Sequence, residues 1–410
     1  MNLYALIILL TLIIDYVVDI ITDYLNIRSL NDELPKEFKG VYDAEKYKQS
    51  QQYTRVNTRF GLITSTFSLV ITLLFWFSGG FNYLDGFVRS WELNELWNGL
   101  IYIGILIVLK TVIGLPFNIY STFVIEEKFG FNKTTPKTFI ADILKGIMLS
   151  ILLGGPLLAG VLWFFESTGD WAWLYCWIGV TLFTLILQFI APTWIMPLFN
   201  KFTPLQNVEL RDAILQYAQS VKYPLSGIFV MDGSKRSSKS NAFFTGFGKN
   251  KRIALFDTLI EKHTTDELVA VVAHEIGHYK KKHIIQGMII GFVQAGVVFY
   301  LLSFFLTHQG LFDAFFMEKP SVYAGLIFFG MLYAPIDMIL SILMNIFSRK
   351  NEFEADAYAA TTFGKPQALI DALKKLSVSN LSNLTPHRLN VFLNYSHPPV
   401  LERIEALKKI

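Results

Sequence analysis

The chain has 410 residues, of which 52% are hydrophobic and only 17% charged, with a formal net charge of +3. Its mean hydropathy of +0.41 excludes a disordered chain and is too apolar for an ordinary soluble enzyme. The small net charge offers no electrostatic footprint for nucleic acid, and a single cysteine, Cys176 in an apolar run, excludes a disulfide framework and cysteine-based zinc sites.

Apolar stretches long enough to cross a bilayer, about 20 residues each, lie at 3–22, 60–80, 99–123, 143–165, 172–198, 285–306 and 322–347. They predict a mainly α, integral membrane protein of seven transmembrane helices. The first stretch has no basic leader and no small-residue cleavage site, and Asp15 and Asp19 interrupt it, so it reads as a retained span. Lys and Arg crowd 23–59, 124–142, 199–284 and the residues after 347. They are nearly absent from 81–98, 166–171 and 307–321, where Arg89 and Lys319 stand alone. This alternation follows the positive-inside rule and predicts an outside N-terminus, with the odd-numbered connections and the C-terminus cytoplasmic. Asp15, Asp19, Lys110, Asp337 and Asn345 fall in or near spans. Hydrogen bonds between helices, or a wet cavity between spans, would accommodate them.

The longest polar portion, 199–284, separates spans five and six. Within it 208–220 predicts a helix and 227–231 a short strand. Residues 241–246 and 252–257 predict a hairpin turning through Gly248-Lys249-Asn250. A strand starting at Asn241, Ala242 and Phe243 is an edge to which extended peptide backbone can add, although an ordinary structural hairpin would look the same. Next, Thr264 and Glu267 form a capping box that opens a helix. On that helix His274 and His278 share one face, one turn apart, and Glu275 lies about 100° round from His274. This is the His-Glu-x-x-His pattern in which two imidazoles hold zinc and the glutamate serves as base. Two histidines on a solvated face would fit the same spacing, so the test is a third ligand. The helix is expected to run directly into span six.

That ligand is expected just after span seven, in Asn351-Glu352-Phe353-Glu354-Ala355-Asp356. On a helix Glu352 and Asp356 share a face at i, i+4, whereas Glu354 points away. Glu352 would complete a His₂Glu site for one Zn²⁺ with water in the fourth position. Asp356 would accept the spare N–H of a ligand histidine and fix its tautomer. The expected division is 1–198 for spans one to five and 199–284 for the peptidase portion, then 285–347 for spans six and seven and 348–410 for the C-terminal part with the third ligand.

Further motifs recur along the chain: Leu34-Pro35 with Gly40-Val41-Tyr42-Asp43, Glu126-Glu127-Lys128-Phe129-Gly130-Phe131-Asn132-Lys133, Pro197-Leu198-Phe199-Asn200-Lys201-Phe202-Thr203-Pro204, Ser240-Asn241-Ala242-Phe243, and Ser396-His397-Pro398 with Arg403-Ile404. Taken with His274–His278 and Glu352 to Asp356, they make the chain resemble the type I CAAX prenyl proteases, a family of membrane zinc peptidases. The resemblance implies a seven-helix barrel around a water-filled chamber, with the zinc site facing it from the cytoplasmic side. It implies zinc held by His274, His278 and Glu352, with Glu275 as general base. Asn241, Ala242 and Phe243 would hold substrate backbone, His397 would stabilise the oxyanion, and Arg403 would support the site. One departure is Lys239, where the family commonly has histidine. The remaining histidines, His263, His283, His308 and His387, read as structural or surface residues.

The expected function is a membrane zinc endopeptidase that cuts after a prenylated cysteine and releases the last three residues of a Cys-a-a-X protein. Its partners would be such peptide or protein substrates and the lipid bilayer, with no nucleic acid. A broader quality-control metalloprotease of membrane proteins is the alternative. A transporter with structural zinc is more remote, because a structural site has no use for Glu275 beside an open coordination position. The chain ends Leu407-Lys408-Lys409-Ile410, neither a clean dilysine signal nor Lys-Asp-Glu-Leu. The shortness of the connections favours a bacterial inner membrane, with the endoplasmic reticulum as the alternative.

Overall fold

The computed structural model describes residues 1–245 and 251–410. Among the described residues, seven helices are long and apolar enough to cross a membrane: Leu3–Arg28, Ala44–Phe77, Glu95–Glu126, Pro136–Ser167, Gly169–Phe199, His283–Phe305 and Val322–Phe363. They coincide with the seven expected spans, and the chain is an integral, multi-pass membrane protein. Asn2, Asp43, Asn94, Thr135 and Ser321 cap five of these helices with a side-chain oxygen. Spans three, four and five each relax into a π-turn, at Ser121–Glu126, Ser150–Gly154 and Ala191–Ile195. Such turns are rare in helices and concentrate near functional sites. Span seven is the longest at 42 residues, about 63 Å at 1.5 Å per residue, twice the hydrocarbon thickness. Its C-terminal part therefore leaves the bundle and enters the polar lobe.

The two largest apolar cores among the described residues lie at opposite ends of the bundle. One gathers Ile8, Trp76, Phe81, Val88, Tyr102, Leu162, Phe312, Phe315 and Phe328, from the starts of spans one, three and seven, the ends of spans two and four, and the stretches of the short helices Gly80–Arg89 and Gln309–Asp313. Trp76 donates its indole N–H to Ala314 O at 2.7 Å there, and buried Asp85 takes Arg89 at 2.9 Å and the Tyr323 hydroxyl. The other core belongs to the lobe, where Phe38, Tyr42 and Tyr47 of the first connection pack with Ile214, Leu255, Val272, Ala273 and Ile404. The first connection thus sits at the same end as the long insertion and the C-terminus, as seven alternating spans require.

Among the described residues the lobe sheet has four strands, β1 Phe202–Pro204, β2 Leu225–Met231, β3 Ala242–Thr245 and β4 Lys251–Phe256, in the order β1-β2-β4-β3. β3 pairs antiparallel with β4, Ala242 opposite Leu255 and Phe243 opposite Ala254, so the expected hairpin strands form. The Gly248-Lys249-Asn250 turn lies outside the described residues. β3 is a terminal strand, with one edge unpaired among the described residues. Helix Val208–Ser220 forms where the sequence predicted it. One expectation is corrected: the His-Glu-x-x-His helix, Thr265–Lys280, does not run on into span six. Lys282 adopts a left-handed conformation, φ +62°, and span six starts afresh at His283.

Candidate metal centre

Helix Thr265–Lys280 opens with the expected capping box: Thr264 Oγ1 accepts the Glu267 N–H at 3.3 Å, and Glu267 Oε2 accepts the Thr264 N–H at 2.9 Å. Leu268 to Ala273, Ile276 and Gly277 are buried. The helix is therefore held on nearly every side, and its histidines cannot drift. A Cβ on Gly277 would meet the backbone of Ala355 at 3.1 Å. Glycine here lets the helix approach the extension of span seven closely, and that approach carries Glu352 to the two histidines.

The three expected donors converge. His274 Nε2 and His278 Nε2 are 3.2 Å apart, with Glu352 Oε2 3.4 Å from the first and Glu352 Oε1 3.2 Å from the second. Ligands about 2.0–2.1 Å from a tetrahedral ion stand about 3.3 Å from one another, so these separations fit such an ion. A second observation points the same way. Glu352 is 4% exposed, and its Oε2, 3.4 Å from both His274 Nε2 and Arg403 Nη1, makes no well-formed hydrogen bond among the described residues, so a cation between the donors would complete its partners. His274, His278 and Glu352 are thus a donor set suited to a divalent metal.

The partners behind these ligands are charged. Asp356 Oδ1 accepts from His274 Nδ1 at 2.8 Å, which leaves Nε2 with its lone pair outward. Arg403 binds Asp356 through both carboxylate oxygens, at 2.8 and 2.6 Å, and its Nη1 lies 3.4 Å from Glu352 Oε2. Burial opposes charge on His274, but the Asp356 and Glu352 carboxylates beside it carry its pKa up to about 9. A cation on Nε2 displaces that proton. Burial also raises the Glu275 carboxyl, against the lowering effect of the two histidines.

Glu275 lines the same cavity, of about 900 Å³, as the three donors, Asn241, Ala242, Phe243, His397 and Arg403. Its apolar wall includes Pro192, Met196, Val271, Ile284, Ile285, Leu369, Leu373 and Leu376. His397 Nε2 is 3.4 Å from Glu352 Oε1, and Ser396 Oγ is 3.0 Å from His397 Nδ1. Of the expected site residues, His274, Glu275, His278, Glu352, Asn241, Ala242, Phe243, His397 and Arg403 therefore line one cavity, with Asp356 directly behind His274. Lys239 lies apart: its ammonium pairs with Glu126 at 2.8 Å, donates to the Tyr53 hydroxyl at 2.8 Å and lies over the Phe131 ring. Sequence reasoning missed His283, which is buried and touches His278. On an unbroken helix a residue five positions on lies about 140° away, and only the turn at Lys282 brings it back.

Comparison with known proteins agrees with this geometry. Residues 23–201 match the family described as CAAX prenyl protease N-terminal, five membrane helices, and residues 204–410 match peptidase family M48. The chain is 38% identical to a CAAX prenyl protease 1 homolog of Oryza sativa subsp. japonica over 92% of this chain and 90% of that one. It is 35% identical to CAAX prenyl protease 1 of Saccharomyces cerevisiae and 33% to the homolog of Homo sapiens, in both cases over 92% of this chain and 88% of the relative. The crystal structure of S. mikatae Ste24p superposes with a TM-score of 0.91 at 34% identity, covering 99% of both chains. The alignments to the yeast and human relatives run to 408 and 424 residues over 92% of this chain, so those relatives carry insertions that this chain lacks.

Proposed function

Taking as premise that this chain belongs to the CAAX prenyl protease 1 family of M48 metallopeptidases, we propose that it is a zinc endopeptidase cutting after a prenylated cysteine to release a C-terminal tripeptide. The observation that carries this reading is the triangle of His274 Nε2, His278 Nε2 and Glu352 carboxylate, 3.2–3.4 Å on its sides, in a cavity that also holds Glu275 and β3. We propose that 1–198 and 285–347 anchor the protein, that 199–284 supplies substrate strand and base, and that 348–410 supplies Glu352, His397 and Arg403. The lysine- and arginine-rich connections at the lobe end support a cytoplasmic lobe.

Zinc held by His274, His278 and Glu352 would bring the pKa of a water to about 7 and polarise a scissile carbonyl. Glu275 takes the proton of the attacking water and passes it to the leaving amine nitrogen as the peptide C–N bond breaks. His397 turns Nε2 toward the cavity, and a Ser396 hydroxyl donating to Nδ1 keeps the proton on Nε2, where it meets charge growing on the carbonyl oxygen. Arg403 keeps Asp356 ionised, so that His274 stays oriented. The free edge of β3, from Asn241 onward, takes the substrate as an added strand, and the apolar wall suits an isoprenoid chain.

Purified protein with a farnesylated Cys-a-a-X peptide and its unprenylated twin, read by mass spectrometry, tests the substrate class. The expected result is an intact C-terminal tripeptide, released at least tenfold faster from the prenylated peptide. Equal cleavage of both, or cuts at scattered bonds, would overturn the prenyl specificity in favour of a quality-control protease.

A further inference from the structure

The peptidase chemistry above leaves one partner of a metal ligand without a role. His283 Nδ1 lies 3.0 Å from His278 Nδ1, and His283 Nε2 lies 3.2 Å from Glu354 Oε2. His283 is 7% exposed, while Glu354 reaches the surface, with Lys350 Nζ 3.8 Å away. Two facing ring nitrogens bond only when one carries a proton and the other a lone pair. His278 needs its Nε2 lone pair for a cation, so its proton sits on Nδ1 and is donated to His283. Glu354 can only accept, so His283 carries its own proton on Nε2 and turns its Nδ1 lone pair to His278. A single assignment of tautomers satisfies all three groups.

We infer that His283 and Glu354 are positioning residues that orient His278 and hold it in its metal-binding tautomer, an inference that rests on the zinc reading above. His274 has its carboxylate directly, in Asp356. His278 has its own at one remove, through an imidazole. Glu354 and Asp356 are two residues apart on the extension of span seven, so one turn of helix serves Glu352 to the metal and a carboxylate to each histidine. The left-handed residue Lys282 is what folds His283 back beneath His278, and it gives this strained conformation a purpose.

The test is the Zn²⁺ dissociation constant of full-length protein in detergent, by chelator competition with the metal alone, alongside the metal-free melting temperature. His283→Phe removes the acceptor and is expected to weaken zinc binding roughly 10–100-fold. His283→Asn puts an oxygen where Nδ1 stands and is expected to recover affinity to within about threefold. Glu354→Gln still accepts and is expected to stay near wild type. Glu354→Lys presents a donor, reverses the tautomer of His283 and is expected to lose affinity as His283→Phe does; Lys350→Met, a charge change at the same surface, is expected to change nothing. Wild-type affinity in His283→Phe, or equal loss in His283→Asn and His283→Phe, would overturn the inference. If His283→Phe does not melt cooperatively, His283→Asn and Glu354→Lys decide it. A wild-type protein that binds no zinc would instead overturn the zinc reading itself.

Discussion

Arg403 and Asp356 form a buried pair of opposite charges with two parallel hydrogen bonds. Removing one partner of such a pair leaves the other charge desolvated, which typically costs about 3–5 kcal/mol. Arg403→Ala is therefore expected to destabilise the lobe by that amount, seen as a large drop in the metal-free melting temperature. Arg403→Lys restores the charge but not the fork, and is expected to recover only part of it. A melt unchanged by Arg403→Ala would mean that Asp356 is neutral or solvated. The individual roles were readable to different depths. That His274 and His278 share a helix face was readable from periodicity, and that Glu352 and Asp356 share one from i, i+4 spacing, whereas the roles proposed for them rest on the His-Glu-x-x-His pattern and the family resemblance. His283 was not readable, because its position depends on a backbone reversal that no side-chain pattern announces. Glu354 was rightly expected to point away from the metal, and it points instead at His283.

At the scale of elements, the site depends on two helices meeting closely at Gly277 and Ala355. Gly277→Leu would place several atoms where there is room for none. Overpacking of this kind costs about 1–3 kcal/mol, and the shift would also separate His278 from Glu352. The expected outcome is a lower melting temperature together with weaker zinc binding; weaker binding without any change in the melt would contradict the packing account. The seven spans, the helix Val208–Ser220 and the hairpin strands were legible because each has a strong local signal, in apolar length or in alternation. Their connections were less so. The break between the motif helix and span six hangs on Lys282, a lysine where glycine is the usual sign of a left-handed turn. The parallel pairing of β2 with β4 joins segments that no local pattern links.

For the whole molecule, the proposed orientation can be read by chemical labelling. Cys176 is buried and is the one native cysteine, so new surface thiols report with little background. Ser234, exposed in the lobe, and Ser90, exposed at the opposite end, are suitable positions. In sealed membrane vesicles with the cytoplasmic face outward, a membrane-impermeant thiol reagent is expected to modify Ser234→Cys and to spare Ser90→Cys until the membrane is opened. The reverse pattern would invert the topology drawn from the distribution of Lys and Arg. The gathering of the first connection, the long insertion and the C-terminus into one lobe core was implied by that distribution. The core at the other end, around Trp76 and Phe315, was not, because its residues lie inside stretches that read simply as membrane spans.

The most direct test of the central claim is a zinc titration of chelator-stripped protein, with tripeptide release from a farnesylated peptide as the readout. The wild-type protein is expected to regain activity up to one equivalent of zinc and no further. Glu275→Gln is expected to bind zinc as tightly and to lose at least about 10²-fold in kcat, the usual contribution of a positioned base. Hydrolysis that survives in Glu275→Gln, or that needs no metal, would contradict the assignment of His274, His278, Glu352 and Glu275 to one hydrolytic centre.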